Sequence, residues 1–124
     1  LMMACWAGHG FIYDENHEML ELLTDMRGAT HLKWGKLEWA LPILRASFAS
    51  VEAEERSIPW EFDSVEDGLR CYLHGSPQHY GWLRLAGERG EEFVDVLRNH
   101  LREYEGSDGR VVAQAQYVIY TVRP

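Results

Sequence analysis

No apolar run in the chain approaches the roughly 18 residues that a membrane-spanning helix needs. The N-terminal LMMACWA is too short for a secretory signal and lacks its basic flank. A membrane partner is therefore not expected. Cysteine is scarce: Cys5 and Cys71 are too few for a disulfide framework, so the expected setting is reducing and cytoplasmic. Basic residues are outnumbered, 12 Lys and Arg against 20 Asp and Glu, and the formal charge of −8 argues against nucleic acid or an anionic lipid surface. There is no internal repeat, low-complexity tract or Pro/Gly/Ser-rich linker, so the expectation is a single domain over residues 1–124. What the chain does have is 46% hydrophobic and 26% charged residues, an ordinary globular composition. A chain of this length buries about two-thirds of its unfolded surface and needs no disulfide or metal to do so.

The pattern along the chain predicts an α/β fold with a small mixed sheet of about three strands, at residues 1–7, 48–62 and 110–122, packed by helices. The run LMMACWA reads as an interior strand buried on both faces, and Gly8-His9-Gly10 as the turn that ends it. A helical period follows from Asn16, with Met19, Leu22, Leu23 and Met26 on one face, Asp14 or Asn16 as cap and Gly28 as stop. Residues 29–35 read as a loop. Leu37, Ala40, Leu41, Leu44 and Phe48 form a second helical face, in which Pro42 predicts a late start or a kink.

The second strand alternates with period two. Val51 and Ala53 share one face while Ile58, Trp60 and Phe62 share the other, which predicts a bulge near residues 55–57 or a second layer. Ser64 followed by Asp67 marks a helix start, with Val65, Leu69, Tyr72 and Leu73 as its stripe. Two further helices complete a helical insertion between the last two strands. One holds Tyr80 and Leu83; the other covers about residues 88–105 and buries Phe93, Leu97, His100, Leu101 and Tyr104. In the last strand Ala113, Ala115, Tyr117 and Ile119 point one way, and Val118, Tyr120 and Val122 make the other face apolar.

Motifs for chemistry are thin. Gly8-His9-Gly10 has Tyr13 where a dinucleotide fingerprint needs a third glycine, so it reads as a plain strand-to-helix turn. The six histidines show no ligand spacing, and no metal is expected. His100 reads as a core histidine bonded to a backbone carbonyl, and Cys5 and Cys71 as inert buried thiols. Ser47, Ser50 and Ser57 lack a nucleophile elbow. Glu52, Glu54 and Glu55 read as a solvated strand face. Aromatic residues in connecting segments are more suggestive of a small-molecule pocket. They give a candidate substrate-binding set: Trp6, His9, Phe11, Tyr13, Tyr72, His79, Tyr80 and Trp82. No catalytic residue can be named.

Three stretches carry a family resemblance: LMMACW, WGKLEWALPILRASFASVEAEERSIPWEFDSVED at residues 34–67, and EYEGSDGRVVAQAQYVIYTVRP at residues 103–124. Together they resemble the C-terminal half of class I S-adenosylmethionine-dependent methyltransferases. The first stretch matches that family's fifth strand. The second matches the following helix, the sixth strand and the start of a helical insertion, and the third matches the antiparallel seventh strand. The family's cofactor-side motifs precede the part represented here, so no cofactor-binding residue carries over. S-adenosylmethionine is implied only where the missing half is present. The resemblance makes residues 63–90 a substrate-side cover and residues 6–13 the loop beside the substrate cleft.

The resemblance first implies a truncated or stand-alone methyltransferase-like domain, inactive alone, that acts in small-molecule binding or homo-oligomeric assembly. An alternative is the substrate-side portion of a complete methyltransferase acting on a small molecule. A third reading is a protein-interaction module using an exposed strand edge. The family's fifth strand is interior, so residues 1–6 would leave a free apolar edge, which predicts a homodimer or a partner chain that completes the sheet.

Overall fold

The computed structural model describes residues 1–23 and 30–124. Its fold is α/β, with strands β1 (Met2–Trp6), β2 (Ser50–Phe62) and β3 (Val111–Arg123) forming one sheet in the order β1-β3-β2. The last strand therefore returns between the other two. It runs antiparallel to β1, with Met2 opposite Thr121 and Trp6 opposite Tyr117. Helices α1 (Phe11–Leu22), α2 (Thr30–Lys33) and α3 (Leu37–Ser47) lie between β1 and β2. The expected insertion between β2 and β3 consists of α4 (Val65–Gly75), α5 (Pro77–Ala86) and α6 (Gly90–Arg102). Met26, Gly28 and Ala29, on which a helix face, its stop and a loop were placed, lie outside the described residues.

The described residues divide into two compact units. In the first, α3 packs on one face of the sheet: Ala40 and Leu44 meet Val118, Tyr120 and Val122, with Met3, Cys5 and Val51 at the margin. Trp34 and Trp39 meet edge to face with centroids 5.0 Å apart. Pro42 lies inside an unbroken α3 and is exposed. In the second unit α4, α5 and α6 pack on one another around Val65, Leu69, Tyr72, Trp82, Phe93, Leu97 and Leu101, all buried. Ser64 caps α4 by accepting from the Asp67 amide at 3.1 Å, as the sequence predicts.

Several expectations are corrected. The first strand is not buried on both faces: Met3 and Cys5 are half-buried against α3, whereas Met2, Ala4 and Trp6 are exposed. The apolar content of that run is thus split between an inner face of Met3 and Cys5 and an outer face that includes Met2, Ala4 and Trp6. Helix α1 starts at Phe11, not at Asn16, directly after Gly10 at φ +80°. Its buried positions are Phe11, Ile12, Glu15, Asn16, Met19 and Leu22. Two polar residues on the inner face hid the helical period, and Asn16 is not a cap. The loop expected at residues 29–35 contains the short helix α2.

Strand β2 runs without a break, and Trp60 and Phe62 pack against the Tyr72 ring of α4. Ala53 and Ile58, read as inward, are exposed. Leu37 also faces outward at 36% exposure. Cys71 is an exposed thiol, not a buried one. Burial does reach Cys5 and pushes its thiol up.

Candidate functional site

Each unit gathers some of the candidate residues. In the first, the β1–α1 turn is held by its own backbone. The Ala7 amide donates to the Gln116 carbonyl at 2.9 Å and the Gly8 amide to the Gly35 carbonyl at 2.8 Å. These N–H groups are therefore committed within the protein and do not form a phosphate cradle. His9 is exposed and its Nε2 lies 2.9 Å from Glu55 Oε1. Lys36 Nζ sits 5.1 Å from the centroid of the Tyr13 ring, and the hydrogen bond to Tyr13 pushes the lysine up. Trp6 lines a shallow cleft of ≈ 400 Å³ with Ala4, Cys5, Ile58 and Tyr117. Phe11, in contrast, is a core residue at 1% exposure and reaches no open surface.

In the second unit Tyr72, His79 and Trp82 form one buried cluster of rings, tilted between Tyr72 and His79 and edge to face between His79 and Trp82. The ring centroids are 4.6 Å apart for Tyr72 and His79 and 5.5 Å apart for His79 and Trp82. Tyr80, the next residue along α5, is turned away from them by the rotation of about 100° per helical residue: it is 53% exposed, with Arg84 over its ring at 6.0 Å.

His79 joins this cluster to a polar network that sequence reasoning missed. Glu15, at 0% exposure, accepts from His79 Nε2 at 2.5 Å on one oxygen and from Asn16 Nδ2 at 2.8 Å on the other. Gln78 Nε2 donates to Asn16 Oδ1 at 2.7 Å. Ser76 Oγ lies 2.6 Å from His79 Nδ1 and caps α5, whose first residue is Pro77. The available signal for Glu15 was its place one turn from both Phe11 and Met19 on an otherwise apolar face. For Ser76 it was a cap residue with a histidine three positions later.

Burial and the charge of Glu15 push the Tyr72 phenol up, and its hydroxyl has no hydrogen-bond partner among the described residues. In the first unit Tyr120 donates to the Trp34 carbonyl at 2.7 Å and is pushed up to about 12, by burial first and then by Cys5 and Glu38. Both phenols therefore bind their proton more tightly in the folded chain than in the unfolded one. For Tyr120 the stability this gives is complete below the ordinary tyrosine value near 10 and is lost as pH rises through about 12, and for Tyr72 the loss comes at higher pH still. An absorbance titration of tyrosine should accordingly be biphasic, with the late phase coinciding with loss of the far-ultraviolet helix signal. A single transition near pH 10 with the helix signal intact would contradict it.

Among the described residues no group of three His, Cys, Asp or Glu is arranged to hold a metal ion. His100 is buried with Nδ1 3.8 Å from Glu18 Oε2. The first unit thus places Trp6, His9, Tyr13 and the Lys36 ammonium in and around the β1–α1 turn. The second presents a hydroxyl–imidazole–carboxylate series. No protein-family model matches these 124 residues, and no curated protein matches them.

Proposed function

We propose that this chain is a methyltransferase-like half that binds a small molecule beside the β1–α1 turn and does not by itself hold S-adenosylmethionine. The observation that carries the reading is topological. The last strand lies between the other two and runs antiparallel to the first, and a three-helix insertion precedes it, in keeping with the resemblance noted for residues 34–67 and 103–124. At the β1–α1 turn the amides of Ala7 and Gly8 are already bonded to Gln116 and Gly35 and are not offered to a cofactor. Cofactor binding and methyl transfer are assigned to a companion half, and Trp6, His9 and Tyr13 to the small molecule.

Calorimetric titration tests this. The chain should give no heat with S-adenosylmethionine, whereas the product of the uninterrupted reading frame around it should bind the cofactor and transfer labelled methyl to small aromatic acceptors. Cofactor binding by the chain alone, or none by the longer product, overturns the reading.

The outer side of β1 supports a second reading, assembly. Met2 is 69% and Trp6 38% exposed on a strand paired on one side only among the described residues. A second copy or a companion chain that continues the sheet would bury them. A strict monomer in sedimentation at micromolar concentration would dismiss this.

A further inference from the structure

The polar core of the second unit has the parts of an activated nucleophile. Ser76 is half-buried at the start of α5, and its Oγ lies 2.6 Å from His79 Nδ1. The opposite ring nitrogen, Nε2, lies 2.5 Å from Glu15 Oε1. A carboxylate accepts, so the Glu15 contact favours the tautomer with its proton on Nε2, and in that tautomer Nδ1 presents a lone pair to the serine. Asn16 holds the other oxygen of Glu15 at 2.8 Å, and Gln78 holds Asn16 at 2.7 Å, so the carboxylate cannot rotate away without breaking a second bond. The ring is wedged between Tyr72 and Trp82. Hydroxyl, base and orienting carboxylate are thus connected through the two ring nitrogens, with the imidazole turned end for end relative to the usual serine triad.

We propose that Ser76 is a reactive serine, activated by His79 and Glu15, that accepts an acyl group from an activated ester. This goes beyond the methyltransferase-like reading and does not depend on it. Oγ forms a bond to the ester carbonyl carbon while its proton passes to His79 Nδ1. The tetrahedral adduct then expels the alcohol, which takes that proton from Nδ1 as its bond to the acyl carbon breaks. Glu15 accepts from Nε2–H throughout and stabilises the transient imidazolium. Pro77 has no N–H, and the His79 amide is directed at Oγ itself, 3.4 Å away, so neither is offered to the carbonyl oxygen. Support for the oxyanion is therefore sparse, and a stable acyl-serine is expected in place of rapid turnover.

The test is acylation of the full chain by p-nitrophenyl acetate, with adducts mapped by mass spectrometry. Ser76 should be acetylated about 10²-fold faster than Ser47 and Ser57, the lower end of what a positioned base supplies. That preference should vanish when the same chain is treated in urea, a comparison that needs no variant to fold. His79→Gln should lower the Ser76 rate by a similar factor, and Glu15→Gln should lower it with a changed pH profile. An unmodified Ser76, or one labelled no faster than the other two serines, would reduce it to a helix cap and overturn the proposal.

Discussion

Replacing His79 with alanine should destabilise the protein by about 3–5 kcal/mol, because it leaves the Glu15 carboxylate buried and without its closest donor. Glu15 has no exposed side-chain surface and His79 only 7%, so water cannot replace the imidazole without opening the helices around it. Asn16 would remain as a neutral donor to one oxygen only. The figure is the penalty for breaking the pair and not its net contribution, which desolvation of both partners makes much smaller. Urea denaturation should therefore show a large fall in midpoint for His79→Ala. Adding Glu15→Gln to that variant should return part of the loss, because an amide is cheaper to bury than a carboxylate. A loss under about 1 kcal/mol for His79→Ala would mean that the pair is solvated like a surface ion pair.

The second large effect is expected at Gly35. A Cβ there would fall inside van der Waals contact of the Trp6 carbonyl oxygen and 2.6 Å from the Ala7 carbonyl carbon and the Gly8 amide nitrogen. All three are backbone atoms, so no side chain can swing aside. Gly35→Ala should force the β1–α1 turn away from residue 35, lengthen the 2.8 Å bond from the Gly8 amide to the Gly35 carbonyl, and cost about 3 kcal/mol, the upper end for overpacking. Gly109→Ala is the control, since no atom lies near a Cβ there. Its cost should reflect only the backbone strain at φ +80°. Equal losses in the two variants would show that the turn yields freely.

Where the sequence was legible, one local rule dominated. The long helix α6 could be read because Phe93, Leu97, His100 and Leu101 recur on one face and glutamates occupy the first turn, and α4 because Ser64 and Asp67 announce its cap. The alternation in β3 likewise marked Ala113, Ala115, Val118, Tyr120 and Val122, all of which are buried. Legibility failed where two demands met on one residue. Glu15 and Asn16 are polar and buried, so a rule that equates burial with apolarity moved the start of α1 past them. The apolar run of β1 was legible as a strand, but its burial was not, because an isolated strand pattern cannot say whether a second layer lies beside it.

By itself the sequence determined the α/β class, the three strand positions and the insertion between the last two, since period and capping are properties of neighbouring residues. It also picked out Tyr72, His79 and Trp82 as aromatic residues worth placing. Only the tertiary structure decided that these three rings pack together and that His79 among them meets a buried Glu15, while Tyr80 turns outward and Phe11 belongs to the core. The contact from Glu15 to His79 spans 64 residues, and no local spacing encodes it. It forms because a carboxylate carried into the interior on the inner face of α1 must find donors there, and α5 supplies one.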